Sequence, residues 1–593
     1  MESVPRPSFV AKNNWQLALA IGNIFTLTTF SNLAFFPRFA RIEGVNGKER
    51  NMAKRKIQEL TTGVHDFPTL INGKETKYVD KTDILYELAR KEEDAQYFIS
   101  RPRRFGKSLM LSTLQAMFDG RRDLFKGLDI YDKPWEGWTA PTPVYSFTMS
   151  NANGDSYAEV KEQLDEIVED LYEQAGLAIP TKGTIPGKFS KFLKAAAELS
   201  PTKKIVILVD EYDEPVAGFL DDIGELKRVR KLLHDFYEKL KINSDVIRFL
   251  MMTGVTKLTK LSVFSGLTHL TDLSDDARFA TLLGYTHSEI DGALRENVEA
   301  LAKKLGQDFE STRDKILKWF DGYRFSPQTE ARVVNPVSLG KLFSPGGGVF
   351  KSYWETTGGS TLIFNRIKAV GKMPDDLENV RVRPIQLDVC DAETLPIEAL
   401  LYQSGYLTIK EVFHSDKPED KCVAATDTYR LAPPNEEIRH SLRDGYVSRI
   451  LGFPDDSWEV LIDRAKRQIR DGDVKGLLFE SLYGLYASVP PDWRIANESE
   501  AKRYFQLFSA MCGANPQPEV PSLLGYADAV VETPDNVYVF EFKYNKSSKA
   551  AMRQIRERGY ADKWKGGKRP VTLIGVNFSS RKRNIDIPVI EPL

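Results

Sequence analysis

Two hydrophobic periods alternate along this chain, and the places where one gives way to the other divide it. From about residue 56 to 273, short unbroken apolar runs are separated by stretches with helical apolar spacing. Tyr97-Phe-Ile-Ser100, Pro143-Val-Tyr-Ser-Phe147, Ile205-Val-Ile-Leu-Val209 and Val246-Ile-Arg-Phe-Leu-Met-Met252 read as strands. The run at 205–209 has no polar position, as expected of a strand buried on both faces of a parallel sheet. Leu109, Leu111, Leu114, Met117 and Phe118 have helical spacing, and 157–175 reads as an acidic helix. Strand–helix alternation of this kind predicts a doubly wound α/β domain.

From about 274 to 493 helical patterns dominate, with strand-like Tyr406-Leu-Thr-Ile409 and Thr428-Tyr-Arg-Leu431. Gly346-Gly-Gly348 and Pro433-Pro434 mark loops there. The last hundred residues read as helix (499–512), strands (527–532, 537–543), helix (550–563) and strand (571–576), a compact α/β unit of its own. A chain of 593 residues is too long for one core. The expected division is 1–55, 56–273, 274–490 and 491–593.

Residues 16–37 carry no charge and include Leu17, Leu19, Ile21, Phe25, Leu33 and Phe36, but Asn23, Thr28 and Asn32 dilute them. A signal peptide or anchor, a packed accessory helix and upstream sequence read from too early a start all fit. Met52-Ala-Lys-Arg-Lys56 resembles an initiation site and favours the last.

Composition changes little: 42% hydrophobic and 28% charged residues belong to an ordinary globular protein, and the net charge is −1. No polyanion-binding signature follows for the whole. The stretch 541–583 departs from it, with 13 Lys and Arg against 3 acidic residues, which suits a phosphate-backbone surface. Cys390, Cys422 and Cys512 form neither a disulfide framework nor a zinc pattern, and the six histidines have no metal-ligand spacing. A reducing, intracellular (cytoplasmic) setting is expected, with 16–37 as the feature that leaves an anchor open.

Chemistry concentrates in two phrases. Arg101-Pro-Arg-Arg-Phe-Gly-Lys-Ser108 lies between a predicted strand and a predicted helix. Gly106, Lys107 and Ser108 supply the close of a phosphate loop: backbone N–H groups, a lysine for the β/γ phosphates and a hydroxyl for Mg²⁺. The usual first glycine is Arg101 here. Arg103 and Arg104 add positive charge. Asp210 and Glu211 end an apolar strand, the form that holds hydrated Mg²⁺ (Asp210) and polarises a water (Glu211). Thr253 closes the strand after, where it is placed to sense a γ-phosphate. The second phrase is Gly525-Tyr-Ala-Asp528 with Glu541-Phe-Lys543. Alternation puts Glu541 and Lys543 on one face of a strand, and a hairpin turning at Pro534-Asp-Asn536 would bring Asp528 beside them. Two carboxylates and a lysine form the minimum set for metal-assisted phosphodiester hydrolysis with Mg²⁺ or Mn²⁺.

These phrases, with Tyr78-Val-Asp-Lys-Thr-Asp83, Val209-Asp-Glu-Tyr-Asp-Glu-Pro215, Thr253-Gly-Val-Thr-Lys257, Trp319-Phe-Asp-Gly-Tyr-Arg-Phe325, Tyr353-Trp354 and Leu401-Tyr-Gln-Ser-Gly-Tyr-Leu407, resemble the AAA-ATPase-like family often fused to a PD-(D/E)XK nuclease domain. The resemblance runs from about Val64 to Trp564. It implies a P-loop NTPase (AAA-like) domain with Walker A and B motifs, a mainly helical middle region, and a C-terminal restriction-endonuclease-like α/β domain. In that family the Arg101–Ser108 phrase is itself the usual loop. Ala551-Met-Arg-Gln-Ile555 with Gly559-Tyr560 resembles the nuclease-type domain, whose recurrent glutamine corresponds to Gln554 and is expected to contact substrate or support Lys543. Glu500 is the expected further metal carboxylate and Glu498 its rival. Tyr526 replaces the relatives' usual arginine. The implied activity is ATP binding and hydrolysis coupled to Mg²⁺-dependent cutting of nucleic acid, DNA ahead of RNA, with a homo-oligomer compatible and no stable membrane association. A nucleotide-controlled switch with an inactive or merely binding nuclease-like domain, and an ATPase directed at another protein, remain open.

Overall fold

The all-apolar run at 205–209 becomes the interior of a parallel sheet. In a computed structural model, the described residues are 57–73, 75–90, 95–219, 222–257, 270–354, 363–364, 367, 377–387, 396–414, 427–445, 455–487, 495–512, 517–522 and 524–593. The 16–37 segment, Met52, Cys390 and Cys422 lie outside them. The first sheet contains β1 (Gln96–Ser100), β2 (Val144–Thr148), β3 (Ile205–Asp210), β4 (Ile247–Gly254) and β5 (Thr271–Asp272), in the order β2-β3-β4-β1-β5 with parallel pairing throughout. Every residue of β3 is buried. Its acidic end and the end of β1 therefore open on the same edge, with β4 between them.

Helix α1 (Lys107–Phe118) follows β1 directly. Its cap is Gly106 at φ 92°, a left-handed conformation that only glycine adopts without strain. Around the sheet lie α2 (Tyr157–Gln174), α3 (Ile185–Leu199) and α4 (Ile223–Ile242). Ser156 starts α2 by accepting the Glu159 N–H, and Val160, Leu164, Ile167, Val168 and Leu171 turn inward at helical spacing.

The middle region is mainly helical, including α5 (Arg295–Leu305), α6 (Phe309–Phe320) and α7 (Asp455–Arg470). It also carries an antiparallel sheet, β6 (Val380–Val382), β7 (Thr408–Phe413) and β8 (Thr428–Ala432), ordered β6-β8-β7. The C-terminal part opens with α8 (Glu498–Met511). Its sheet contains β9 (Gln517–Ser522), β10 (Gly525–Glu532), β11 (Val537–Tyr544), β12 (Val571–Ser579), β13 (Asn584–Ile585) and β14 (Val589–Pro592), with α9 (Ser548–Glu557) between β11 and β12. Strand β9 escapes the sequence pattern because Pro518 and Pro521 sit in it, which an edge strand tolerates. Lys56–Leu593 forms one compact unit, and one buried apolar network runs from Phe67 through Tyr323 to Phe578. No described helix is long and apolar enough to cross a membrane.

Candidate functional site

The loop 101–108 is held by its neighbours at both ends. Arg101 continues the β1–β4 ladder through its N–H to the Gly254 carbonyl, 3.1 Å. Its side chain, 1% exposed, leaves the loop, donates to the carbonyls of Ser100, Ser274 and Phe279, and stacks 4.1 Å above the Phe325 ring. Burial pushes its pKa down to about 10. The residue in the usual glycine's place is thus a tie between the sheet and the residues after it. Phe105 is clamped edge-on between Tyr323 and Phe325. The Cβ that Gly405 lacks would fall 2.7 Å from Pro102.

Lys107 is buried, with Nζ donating to the carbonyls of Arg101 (2.9 Å) and Pro102 (3.1 Å). Burial lowers its pKa, and the carboxylates of Asp210, Asp213 and Glu211 oppose the shift. Ser108 Oγ donates to Asp210 Oδ2 at 2.5 Å, and Thr253 Oγ1 donates to Asp210 Oδ1. The N–H groups of Arg104, Phe105 and Gly106 have no acceptor among the described residues. Such a turn leading into a helix N-terminus suits an anion. Arg103 pairs with both oxygens of Glu214, while Arg104 is exposed at φ 69°. Glu211 also has positive φ (51°), and Ser150, just beyond β2, donates to its carboxylate. Arg104 and Glu211 thus both hold the left-handed conformation, uncommon for non-glycine residues, beside the same loop.

The second constellation forms at the end of the β10–β11 hairpin, which turns at 534–536 as expected. The ladder pairs Ala529 with Phe540 and goes no further, so Asp528 stands level with Glu541 where the strands part. There Asp528 Oδ2 accepts the Phe542 N–H at 2.7 Å. Glu541 is 1% exposed; its Oε1 accepts from Lys543 Nζ at 2.7 Å, and its Oε2 is buried without a hydrogen-bond partner. Its pKa is pushed up to about 7, by burial first and the Asp528 charge second, against Lys543. Burial lowers the pKa of Lys543, but the Glu541 hydrogen bond and nearby carboxylates outweigh it and raise the group. Glu498 reaches Lys543 Nζ at 3.4 Å. Glu500 turns the other way: its carboxylate accepts from Ala496 N–H and Asn497 Nδ2 at the start of α8. Gln554 donates to the Tyr560 hydroxyl, which lies under Gly525, and makes no bond to Lys543.

Both constellations lie in stretches that are similar to known families. A model for a predicted AAA-ATPase (AAA-ATPase_like) matches residues 61–264, and one for the PD-(D/E)XK nuclease superfamily matches residues 498–587. A protein of Azotobacter chroococcum mcd 1, described as an uncharacterized protein in the vnfD 5'region, is 31% identical over 549 residues, covering 90% of this chain and 99% of its own. The chain belongs to the AAA-ATPase-like family and ends in a PD-(D/E)XK superfamily domain.

Within this family member the two sites accommodate the implied groups unequally. The loop offers free amides, a lysine and a hydroxyl beside Asp210, the donor set a nucleotide phosphate and its hydrated metal use. Among the described residues no cluster of three or more His, Cys, Asp or Glu is arranged to hold a metal. Asp528 and Glu541 nonetheless fit a divalent ion, because an unpartnered buried oxygen and a carboxylate destabilised by its neighbour both favour a cation there. Two participants escape sequence reasoning. Ser150 carries no motif, and Lys502, whose Nζ sits 2.6 Å from Asp528 Oδ1, is signalled only by its i,i+4 spacing from Glu498.

Proposed function

We propose that this protein is an ATP-binding, ATP-hydrolysing P-loop ATPase coupled to a Mg²⁺-dependent nuclease that cuts nucleic acid phosphodiesters. In this reading Gly106, Lys107, Ser108 and the loop amides bind the ATP phosphates, with Arg104 adding charge and Arg103 joining it on leaving Glu214. Asp210 takes the hydrated metal, Glu211 activates water, and Thr253 reads the γ-phosphate through Asp210. Region 274–490 relays the state of the loop, supported by its grip on Arg101, Pro102 and Phe105. The observation that carries the nuclease half is the convergence of Asp528, Glu541 and Lys543 where the hairpin parts. Asp528 and Glu541 hold the metal, Lys543 orients the attacking water, and Glu498 steadies Lys543. Glu500 would have to leave its capping bonds to join them. A divalent ion bound there polarises a phosphoryl oxygen and acidifies the water. The exposed basic residues of 541–583, such as Lys546, Lys549, Arg553, Lys568 and Arg581, offer a track for the backbone. The setting is intracellular.

Incubation of the chain with plasmid, single-stranded DNA and RNA in Mg²⁺ or Mn²⁺ tests this. Cutting that falls by about a thousandfold or more in Glu541→Ala supports it. Equal cutting by that variant contradicts it. The pairing of Asp528 with Lys502 and the replacement of the usual arginine by Tyr526, 62% exposed, favour a second reading. In it the domain binds nucleic acid without cutting, and Glu541→Ala leaves affinity intact.

A further inference from the structure

The carboxylate cluster contains a cation the reaction as written does not use. Lys502 lies one helical turn after Glu498 on α8, so both side chains leave the same side of the helix. Lys502 Nζ meets Asp528 Oδ1 at 2.6 Å, with the two side chains 23% and 10% exposed. Across the hairpin, Lys543 Nζ meets Glu541 at 2.7 Å and Glu498 at 3.4 Å. Charges therefore alternate through the cluster, and with Glu541 ionised, above about pH 7, three carboxylates against two ammonium groups leave it one negative charge. Both Asp528 oxygens are engaged, one by Lys502 and the other by the Phe542 N–H. The buried oxygen without a partner is Glu541 Oε2. A divalent ion held by Asp528 and Glu541 would therefore have to contest Asp528 with an ammonium already in contact. Once in place, it turns the cluster's charge to one positive, which matches the single negative charge of a phosphodiester. Without Lys502 the same ion would leave the cluster neutral, and a second ion would be needed to attract the substrate.

We infer that Lys502 is a built-in counter-cation: it holds Asp528 Oδ1 until a divalent ion takes that oxygen, and its freed ammonium then binds the substrate phosphate, so that the centre is complete with one ion. This rests on the nuclease reading and specifies its substrate contact and metal count. Lys502 is a positioning residue for Asp528 in the metal-free protein and a phosphate ligand afterwards.

Calorimetric titration of Mn²⁺ into the full chain, with Glu541→Ala as blank, measures the competition without any cleavage. Wild type should take up one ion per chain at this centre. Lys502→Met should bind Mn²⁺ about tenfold more tightly, while Lys502→Arg, which keeps the charge, should stay near wild type. In Ca²⁺, labelled single-stranded DNA and RNA probes should bind Lys502→Met about three- to tenfold more weakly. The arginine variant guards against a folding defect, since a merely structural loss would weaken metal binding, not strengthen it. Unchanged Mn²⁺ affinity in Lys502→Met, or tighter Mn²⁺ binding with undiminished probe binding, would overturn the role of Lys502 alone. A wild type that binds no Mn²⁺ above the blank would overturn the nuclease reading along with it.

Discussion

The two constellations solve opposite problems with the same residue types. Around the loop, the charged and hydroxyl groups other than Arg104 close on neighbours: Lys107 on backbone carbonyls, Ser108 and Thr253 on Asp210, Glu211 on Ser150. What is left over is a row of N–H donors, which calls for an anion. At the hairpin end the donors are engaged, and a buried carboxylate oxygen is left beside a second carboxylate. That remainder calls for a cation. The lesson is that a site's ligand is read from the group its own hydrogen bonds fail to satisfy, more than from the residues present.

The contrast can be broken most severely at Arg101. Arg101→Met removes a donor from the carbonyls of Ser100 and Ser274 and leaves that of Phe279 with the Leu282 N–H alone, so the urea midpoint should fall by the equivalent of about 2–4 kcal/mol. An unchanged midpoint would mean that the loop is not anchored through this side chain. Next in size is the response to pH. Glu541 is raised from its ordinary 4.5 to about 7, so it is protonated below about 7 and each bound ion must release that proton. Mn²⁺ affinity should then fall about tenfold per pH unit below pH 7 and level off above it. The same sign makes the metal-free protein lose stability as pH rises from about 4.5 to about 7, and metal should restore it. Melting curves of wild type and Glu541→Gln in EDTA and in Mn²⁺ isolate this contribution, and the same pH dependence in both proteins would contradict it. The smallest effect concerns Glu211: Ser150→Ala should lower ATP turnover about two- to tenfold with ATP affinity unchanged. An equal loss of affinity would assign Ser150 to binding.

Much of this was legible in the chain. The buried run 205–209, the strand before the loop and the hairpin at 527–543 appear as expected because apolar period alone specifies them. The convergence of Asp528, Glu541 and Lys543 follows from hairpin register. Period says nothing about which way a carboxylate turns on a helix. Glu498 and Glu500 are two residues apart on α8, and only Glu498 faces the cluster, because Glu500 is drawn back by the Ala496 N–H and the Asn497 side-chain amide just ahead of the helix. Arg101 reads as a defective glycine in sequence. Its reason lies in Ser274, Phe279 and Phe325, more than 170 residues later. Strand β9 hides behind its prolines, and Ser150 and Lys502 acquire meaning through partners that local pattern does not reveal.

In the proposed function, the state of the loop governs chemistry at the hairpin. The most direct measurement is metal-dependent cleavage with and without ATP, by the wild type and by Lys107→Ala. ATP should change the wild-type rate, and Lys107→Ala, with Asp528, Glu541 and Lys543 intact, should no longer respond to ATP. Cleavage at equal rates in all four reactions would show that the two sites work independently and would contradict it.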